Sequence, residues 1–377
     1  MRLLLRPSAT PSGPTPVLDD DQSAVVRHRG GPLLVLGGPG TGKTTVLVEA
    51  VVDRVSRGEV ELADVVLFTF SRRAAADLRY RIAARLGRTA REPVARTFHS
   101  YAFGVVRAAA VRRGEKPPRL LTSAEQDAII RDLLAGEAAR GGTRWPPQLR
   151  VALPTRGFAR ELRDFLQRAA ERGLGPQELI RLGREHGRDE WVAAGRFAAE
   201  YAQISALREA DAYDPAELIH AAVAELEADP PVRLPRLVAV DEFQETDPAQ
   251  RRLLALVARQ AELIVAADPD QSIFGFRGAD PAGVRAFTSE FEFPGRPPPR
   301  VLTLRKGYRM GRLLTAATRR FLAHIPPGGP APHREVVAVR GGEPDGVDFT
   351  GAEPAVIGVR DGERPEHLDV AVYGSAG

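Results

Sequence analysis

The chain has 377 residues, which is enough for two or three domains, and its formal net charge is +4. It contains no cysteine, so disulfides and cysteine-ligated metal clusters are excluded and a cytosolic setting is favoured. The mild positive charge is compatible with a polyanionic partner but does not require one. No apolar run is long enough to span a membrane, and Leu3–Leu5 is too short for a signal peptide. The composition therefore predicts a cytoplasmic protein without a membrane partner.

The first part of the chain alternates predicted strands and helices. Residues 1–17 are rich in Pro, Ser and Thr and are predicted to be flexible. A helix that carries Gln22 is expected next. Apolar runs then predict two strands, at Leu33–Leu36 and Val65–Thr69. Ser71 is placed to cap the helix that follows the second of these strands.

A long helical block interrupts the strands. Residues 108–230 carry helical patterns and no strand signals. Capping boxes are predicted at two helix starts, from Ser123 with Gln126 and from Asp214 with Glu217. Strand signals return at Leu237–Val240, Leu263–Ala266 and Val301–Leu304. Strands that alternate with helices predict a parallel sheet whose carboxyl edge carries the functional site.

A glycine-rich segment after the first strand has the full spacing of a phosphate-binding loop. Its glycines let several backbone N–H groups point at a phosphate, and the helix that begins near Lys43 directs its positive end toward the same anion. Lys43 can reach the outer phosphates, and the Thr44 hydroxyl can ligate magnesium. The candidate nucleotide-binding residues are Gly37, Gly38, Pro39, Gly40, Thr41, Gly42, Lys43, Thr44 and Thr45. The alternative is an ordinary glycine-rich turn before a helix.

Two adjacent acids, Asp241 and Glu242, follow the strand predicted at Leu237–Val240. With a phosphate loop in the same chain, such a pair can hold the magnesium of a nucleoside triphosphate and an attacking water. The alternative is an ordinary acidic loop after a buried strand. Together, the glycine-rich loop and the acidic pair predict an NTPase.

Five ordered segments resemble motifs of the superfamily 1 helicases of the UvrD/Rep/PcrA type. They are Phe68–Ala75 (FTFSRRAA), Ala95–Ser100 (ARTFHS), Asp241–Asp247 (DEFQETD), Asp268–Ala279 (DPDQSIFGFRGA) and Leu304–Arg309 (LRKGYR). Their order and spacing also match, and the resemblance covers residues 18 to about 320. It departs from the family at Gly307, usually asparagine, and at Glu245, usually aspartate. The resemblance implies an ATP-dependent motor that moves 3′ to 5′ on single-stranded DNA.

The resemblance implies catalytic roles for single residues, beside Lys43 in the loop. Asp241 would hold magnesium, and Glu242 would act as the general base for the attacking water. Gln271 would sense the γ-phosphate and couple it to the grip on DNA. Arg309 would act as an arginine finger that stabilises charge in the transition state.

The implied cofactors are ATP and Mg²⁺. Thr44 and Asp241 would ligate the metal. At the other end of the nucleotide, Gln22 would read the adenine edge and Tyr308 would stack on the ring.

The aromatic residues expected to face DNA have structural alternatives. Phe274, Phe276 and Arg277 lie together in a chain that is poor in aromatic residues, and base stacking on such a ring contributes about 1–3 kcal/mol irrespective of sequence. Each phenylalanine can instead belong to the core, and Phe98 has the same alternative. His99 can equally be a hydrogen-bonded structural histidine.

Arg72 and Arg73 provide a separate indication of a DNA contact. They lie in the first turn of a predicted helix, where positive charge opposes the helix dipole at a cost of about 0.3–1 kcal/mol each. A DNA phosphate at that helix start would offset the cost, although a solvated arginine pair is the alternative. Ser71 and Thr97 are the remaining candidates for contact with DNA.

The predicted fold class is α/β: a P-loop NTPase with a RecA-like parallel sheet flanked by helices, an inserted all-helical subdomain and the start of a second RecA-like domain. The first domain is expected to be split between 18–107 and 231–295, around a helical insertion at 108–230. Residues 296–377 are expected to begin the second domain. The family's later motifs do not occur, so we expect this chain to resemble the first half of a longer helicase. Alone, it is expected to bind ATP weakly and to unwind no duplex.

The predicted partners are single-stranded DNA and its junctions with duplex, at the nucleoid in the cytoplasm. The segments GGPGTGKT and TFSRRAAADLR further resemble actinobacterial helicase–nuclease subunits, which implies a partner subunit of that kind. Two alternatives stay open: a DNA-binding or regulatory fragment that does not hydrolyse ATP, and a P-loop ATPase without a DNA role. DNA-stimulated ATP turnover separates the three.

Overall fold

The fold is built on a six-stranded parallel sheet with strand order β3-β2-β6-β7-β1-β8. The structure is a computed structural model that describes residues 15–87, 93–208, 212–228, 234–273, 275, 278–326 and 331–339. The strands are β1 (Leu33–Gly37), β2 (Val65–Thr69), β3 (Ala95–Thr97), β4 (Arg119–Leu120), β5 (Ala212–Tyr213), β6 (Leu237–Val240), β7 (Glu262–Ala267), β8 (Arg300–Leu304), β9 (Lys306–Gly307) and β10 (Val337–Ala338).

Helices follow most of the strands. They are α1 (Asp20–Arg27), α2 (Lys43–Ser56), α3 (Arg72–Leu86), α4 (Phe98–Arg113), α5 (Ser123–Ala139), α6 (Pro147–Arg150), α7 (Arg156–Glu171), α8 (Pro176–Glu185), α9 (Asp189–Arg208), α10 (Pro215–Ala228), α11 (Pro248–Ala258), α12 (Ala282–Glu290) and α13 (Arg312–Ala323). The fold class predicted from the sequence is confirmed: a parallel sheet flanked by helices.

Alternation along the strands builds two hydrophobic layers. In β1, Leu33 and Val35 face a core formed with α2 and α3, whereas Leu34 and Leu36 face a core formed with α4, α10, α11 and α12. Successive strand residues point to opposite faces, and both faces of this sheet are covered by helices. This is why the central strands are continuous apolar runs.

The strand β8 corrects the predicted domain boundary. It was assigned to the beginning of a second domain, but it pairs with β1 in parallel, with Val301 opposite Leu34, and forms the sixth strand of the first sheet. The first sheet therefore extends to Leu304. What begins after it is the segment with β9, α13 and β10.

The helical insertion is shorter than predicted. Helix α4 reaches into the interval 108–230 and α10 lies inside it. Residues of both helices nevertheless belong to the core on one face of the sheet. The insertion has its own core, which is formed mainly by α5, α7 and α9 and includes Trp145 and Phe197. It also contains a two-residue parallel pairing of β4 with β5, so it is not entirely helical.

Local capping fixes several helix starts. Ser71 Oγ accepts from the backbone N–H of Ala74 and begins α3 as predicted. The capping box predicted from Asp214 and Glu217 is present. The one predicted from Ser123 is wrong by one residue, because Thr122 is the N-cap of α5 and pairs with Glu125. Within the described part of the chain, no helix has the length and hydropathy needed to cross a membrane.

Candidate functional site

The carboxyl ends of β1, β6, β7 and β8 bring the predicted nucleotide residues together. The loop after β1 curls through two glycines with left-handed backbone, Gly40 at φ 74° and Gly42 at φ 90°, and α2 begins at Lys43. Thr41 Oγ1 donates to the Gly38 carbonyl and tightens the turn. The start of a helix whose N-cap has no side chain leaves backbone N–H groups for an anion.

Lys43 is buried at the centre of this loop. Its ammonium donates to the carbonyl oxygens of Gly37 at 2.8 Å and Gly38 at 3.3 Å, and it lies 3.5 Å from Asp268 Oδ2. An ammonium held by two carbonyls and a carboxylate can turn toward an incoming phosphate on its flexible stem. The geometry agrees with a role at the outer phosphates.

Thr44 and Asp241 form a hydrogen-bonded pair across the site. Thr44 Oγ1 donates to Asp241 Oδ2 at 2.9 Å, and Asp241 Oδ1 is buried with no hydrogen-bond partner within the described part of the chain. Burial is the main cause that raises the Asp241 pKa to about 6, with repulsion from Glu242 adding to it. Hard oxygen donors and an unsatisfied carboxylate oxygen are what Mg²⁺ requires, so the residues present fit this metal.

Glu242 has an unusual backbone. It has φ 58° and is the one non-glycine residue with positive φ in the described part of the chain. Left-handed backbone at such a residue costs on the order of 1 kcal/mol and recurs at functional sites. The turn allows the chain to leave β6 into the short helix Phe243–Glu245 while Glu242 stays at the sheet edge.

Gln271 lies on the loop after β7 and its side chain is exposed. Its amide nitrogen donates to Asp268 Oδ2, the carboxylate that also faces Lys43. Asp268 itself is fully buried. The loop therefore places Gln271 at the mouth of the site, connected to the lysine by one carboxylate.

Gln22 and Tyr308 meet at the opposite side of the loop. Gln22 Nε2 donates to the Thr41 carbonyl at 3.0 Å, and the Gln22 side chain completes a capping box with Asp19. The Tyr308 hydroxyl donates to Asp19 Oδ2, and its backbone N–H donates to the Gly40 carbonyl at 2.9 Å. These contacts bring both residues predicted to hold the adenine against the phosphate loop.

Arg309 follows Tyr308 and is exposed. It approaches the loop so closely that a Cβ on Gly40 would lie 2.5 Å from the Arg309 Cβ. The absence of a side chain at Gly40 is therefore needed for this approach as well as for its backbone conformation.

A second ionic cluster lies beside the loop. Asp270 accepts hydrogen bonds from His333 and Arg334, and Asp268 and Asp270 converge with His333 closely enough to form a group of potential metal ligands. However, Arg334 pairs with Asp270 and Lys43 faces Asp268, so both carboxylates already have cationic partners. We interpret the cluster as an ion-pair network that joins the segment 331–339 to the Gln271 loop.

Some of the residues predicted to face DNA are described by the structure, and others lie outside the described residues. Arg72 and Arg73 are exposed in the first turn of α3, next to the exposed cap Ser71. Thr97 caps α4 by accepting from the Ser100 backbone N–H. Phe274, Phe276 and Arg277 lie outside the described residues.

Phe98 corrects the prediction of a DNA contact. Its side chain is 1% exposed and stacks on Phe68 with ring centroids 4.4 Å apart. The ring is part of the core on the α4 face of the sheet, and it also borders a cleft. His99 is half-buried next to it, and burial lowers its pKa.

A cleft of about 570 Å³ separates the carboxyl ends of β2 and β3 from α7. Its rim includes Arg72 and His99, while its wall on the side of the insertion contains acidic residues. The principal lining residues are Thr69, Phe70, Arg72, Thr97, His99, Asp164, Gln167, Arg168, Glu171, Glu245, Asp247 and Gln250. Phe70, which lies directly after β2, was missed as a site residue; the signal for it was an aromatic residue at the end of a buried strand.

Gln244 and Asp268 were also missed. Gln244 donates to Glu242 Oε2 at 2.7 Å, and Asp268 is the carboxylate shared by Lys43 and Gln271. Both lie inside segments that resemble helicase motifs, Asp241–Asp247 and Asp268–Ala279. Their position next to catalytic candidates was the available signal, but only the fold shows which neighbours their side chains meet.

Comparison with known proteins identifies the same family. The UvrD/REP helicase N-terminal domain matches residues 18–292. The chain is 30% identical to ATP-dependent DNA helicase UvrD1 of Mycobacterium tuberculosis (strain ATCC 25618 / H37Rv) over 84% of this chain and 41% of that protein. It is 29% identical to UvrD2 of the same strain, over 81% of this chain and 43% of that protein.

A third relative comes from another genus. ATP-dependent DNA helicase PcrA of Staphylococcus epidermidis (strain ATCC 12228 / FDA PCI 1200) is 26% identical over 81% of this chain and 40% of its own length. The chain therefore spans about two-fifths of the length of these relatives.

Proposed function

Because the chain belongs to the UvrD/REP helicase family, we propose that it carries the ATP site of a DNA motor. The motor would couple ATP hydrolysis to 3′–5′ movement on single-stranded DNA in repair or recombination. The observation that carries this proposal is the convergence of Lys43, the Thr44–Asp241 pair and Glu242 at one sheet edge. The names of the relatives, which are ATP-dependent DNA helicases, support it.

The proposed chemistry assigns each residue a task. Lys43 exchanges its carbonyl partners for phosphate oxygens and offsets their charge. Thr44 and Asp241 are the residues that would hold Mg²⁺, which when bound neutralises charge on the phosphates. Glu242 accepts a proton from the attacking water. Gln271, at the mouth of the site, senses whether the outer phosphate is present.

The residues proposed to hold the adenine and to stabilise the transition state lie on the far side of the loop. Gln22 and Tyr308, which both contact residues of the loop or its flank, would hold the adenine. Arg309 would extend toward the outer phosphate as an arginine finger. Its exposed side chain and its close approach to Gly40 support this assignment.

The proposed DNA path crosses the rim of the cleft. Exposed Arg72 and Arg73 at the start of α3 are suited to phosphates, together with Ser71, Thr97 and half-buried His99. The acidic wall formed with α7 repels a phosphate backbone, so we place the backbone along the rim and not inside the cleft. The proposed substrates are single-stranded DNA and its junctions with duplex, at the nucleoid. A partner helicase–nuclease subunit is proposed only from the resemblance of two sequence segments.

The test is ATP hydrolysis by the purified chain with and without single-stranded oligonucleotides. Hydrolysis that rises on addition of DNA supports the motor. Hydrolysis at a rate that does not change on addition of DNA supports a P-loop ATPase without a DNA role. DNA binding without hydrolysis supports the regulatory alternative. The presence of ATP-site residues beside exposed arginines favours the first outcome.

A further inference from the structure

Gln244 joins two parts of the candidate ATP site through its side-chain amide. It is 1% exposed and lies in the short helix that follows Glu242. Its Oε1 accepts from the backbone N–H of Asp268 at 2.9 Å, and its Nε2 donates to Glu242 Oε2 at 2.7 Å. A backbone N–H can only donate, so the amide oxygen must face Asp268 and the amide nitrogen must face Glu242. The orientation of the amide is thus fixed by chemistry.

We propose that Gln244 is a positioning residue, which holds the Glu242 carboxylate for proton abstraction and ties it to the loop that carries Gln271. The inference rests on the proposed function, because it takes Glu242 as the general base. Gln244 touches neither phosphate nor water in this account; it acts through Glu242.

The need for such a residue follows from the geometry of Glu242. Its backbone turns through a left-handed conformation, and its side chain has several rotatable bonds that the backbone does not restrain. A general base contributes about 10²–10⁴-fold to a rate only when it is held within hydrogen-bond reach of the proton it takes. The Gln244 amide engages Oε2 of the carboxylate, and the carboxylate has a second oxygen to accept the proton.

The other end of Gln244 connects the base to the loop after β7. Gln244 accepts its hydrogen bond from the backbone N–H of Asp268. The carboxylate of the same residue accepts from Gln271 and faces Lys43. A parallel contact runs next to it, where Glu245 Oε1 accepts from the Ile273 backbone N–H at 2.9 Å. Movement of the Gln271 loop on sensing the outer phosphate would therefore displace the amide that holds Glu242.

Two substitutions test the inference. Gln244→Met keeps the length of the side chain and removes both polar contacts. Gln244→Glu keeps an acceptor for the Asp268 N–H but replaces the donor to Glu242 with a like charge. The matched control is Gln126→Met, since Gln126 is a similarly buried glutamine in the helical insertion. Thermal melts establish that each variant is folded.

The measurement is ATP hydrolysis under single-turnover conditions, with the chain in excess and single-stranded DNA present. We expect both Gln244 variants to lower the rate constant by roughly 10–100-fold, a part of what the general base supplies. The chain concentration that half-saturates the rate constant should stay within about twofold, because Lys43, Thr44 and Asp241 are untouched. Gln126→Met should leave both quantities unchanged. If Gln244→Met does not fold, Gln244→Glu decides alone.

A double-mutant cycle with Glu242→Gln separates positioning from a general structural effect. If Gln244 acts through Glu242, its substitution has no further effect once the base is gone. Full additivity, an unchanged rate in both Gln244 variants, or an equal loss in Gln126→Met would overturn the inference. A Glu242→Gln protein that hydrolyses ATP normally would instead remove the proposed base. If Glu242→Gln lowers the rate of ATP hydrolysis but Gln244→Met does not, only the positioning role of Gln244 is contradicted.

Discussion

The Thr44 hydroxyl donates a 2.9 Å hydrogen bond to Asp241 Oδ2, although 197 positions separate the two residues in the chain. The bond joins the helix after β1 to the end of β6 and leaves Asp241 Oδ1 buried without a hydrogen-bond partner among the described residues. A buried polar atom left unsatisfied costs on the order of 1–3 kcal/mol. A magnesium ion at this point would remove that cost, which supports the proposal that the pair binds the metal.

Loss of the Lys43 side chain should weaken nucleotide binding. Hydrogen bonds that involve a charged group contribute about 1.5–3 kcal/mol, so we expect the Kd for ATP to rise by roughly 10–100-fold in Lys43→Ala. Equilibrium titration with a fluorescent ATP analogue in the presence of Mg²⁺ measures this. Lys116→Ala is the control, because Lys116 is exposed between α4 and β4. Equal affinities of Lys43→Ala and the unmodified chain would show that the loop does not bind phosphate through its lysine.

The two arginines at the start of α3 should contribute to the salt dependence of DNA binding. Each phosphate contact with a single strand adds about 0.7 to the slope of log K against log salt concentration. We therefore expect Arg72→Ala and Arg73→Ala each to lower the slope by about that amount, as measured by fluorescence anisotropy of labelled oligonucleotides. Arg57→Ala is the control. Arg57 is exposed and lies at the C-terminal end of α2, away from the phosphate loop at which that helix begins. Slopes that fall equally in all three variants would argue against a specific path along α3.

The sequence predicts local features of this site well and long-range ones poorly. The phosphate loop, the cap at Ser71 and the acids after β6 depend on residue types within a few positions of one another, and the structure has each of them in the predicted element. The assignment of β8 to a second domain was wrong because an apolar run predicts a strand but not its partner. Only the pairing of β8 with β1 decides which sheet it joins.

Side-chain environments were the other limit of the sequence. Phe98 is 1% exposed and stacks on Phe68 in the core, whereas Phe70 is half-buried and packs against Phe98 with ring centroids 5.7 Å apart; both rings border the cleft. How deeply each ring is buried depends on the packing of α4 against the end of β2, which no local sequence pattern shows. The double contact of Gln244 depends on β6 and β7 being neighbours, which no local pattern shows.

The close approach of Arg309 to the loop gives a prediction for Gly40. A Cβ at Gly40 would lie 2.5 Å from the Arg309 Cβ, whereas one at Gly58 would meet no atom within 4 Å. Both glycines have similar positive φ, 74° and 71°, so alanine imposes a similar backbone strain of about 1 kcal/mol at each. We expect Gly40→Ala to reduce ATP turnover at least about tenfold, because Tyr308 and Arg309 are pushed from the loop.

Gly58→Ala is the control for the strain and should lower only the melting temperature. The two variants are compared by ATP hydrolysis and by thermal melts. Equal turnover in Gly40→Ala and Gly58→Ala would mean that the contact with Arg309 has no part in catalysis.

Glu171, in the acidic wall of the cleft, should make stability depend on pH. Burial is the largest cause that raises its pKa to about 7, and repulsion from Asp247 adds to it, whereas the ion pair with Arg168 opposes it. The folded chain therefore holds a proton on Glu171 between about pH 4.5 and 7 that the unfolded chain releases. Its contribution to the free energy of unfolding consequently falls as the pH rises through this window.

Removing the titrating group should abolish that part of the pH dependence. From pH 5 to pH 8, the stability of Glu171→Gln relative to the unmodified chain should increase by on the order of 1 kcal/mol, a figure discounted for solvent screening in the cleft. Chemical denaturation at both pH values measures it. Glu178→Gln is the control, because hydrogen bonding to Arg181 lowers the pKa of Glu178 and places its titration below this window. A relative stability that does not change with pH would show that Glu171 is charged in the fold at pH 5.

The central claim is that this sheet edge hydrolyses ATP through Glu242 in response to DNA. The most direct measurement compares DNA-stimulated ATP hydrolysis by the unmodified chain and by Glu242→Gln, with ATP binding measured in parallel on the same preparations. We predict that DNA raises the rate of the unmodified chain. Glu242→Gln should bind ATP with similar affinity and lose turnover by about 10²-fold or more. Turnover in Glu242→Gln equal to that of the unmodified chain would contradict the account.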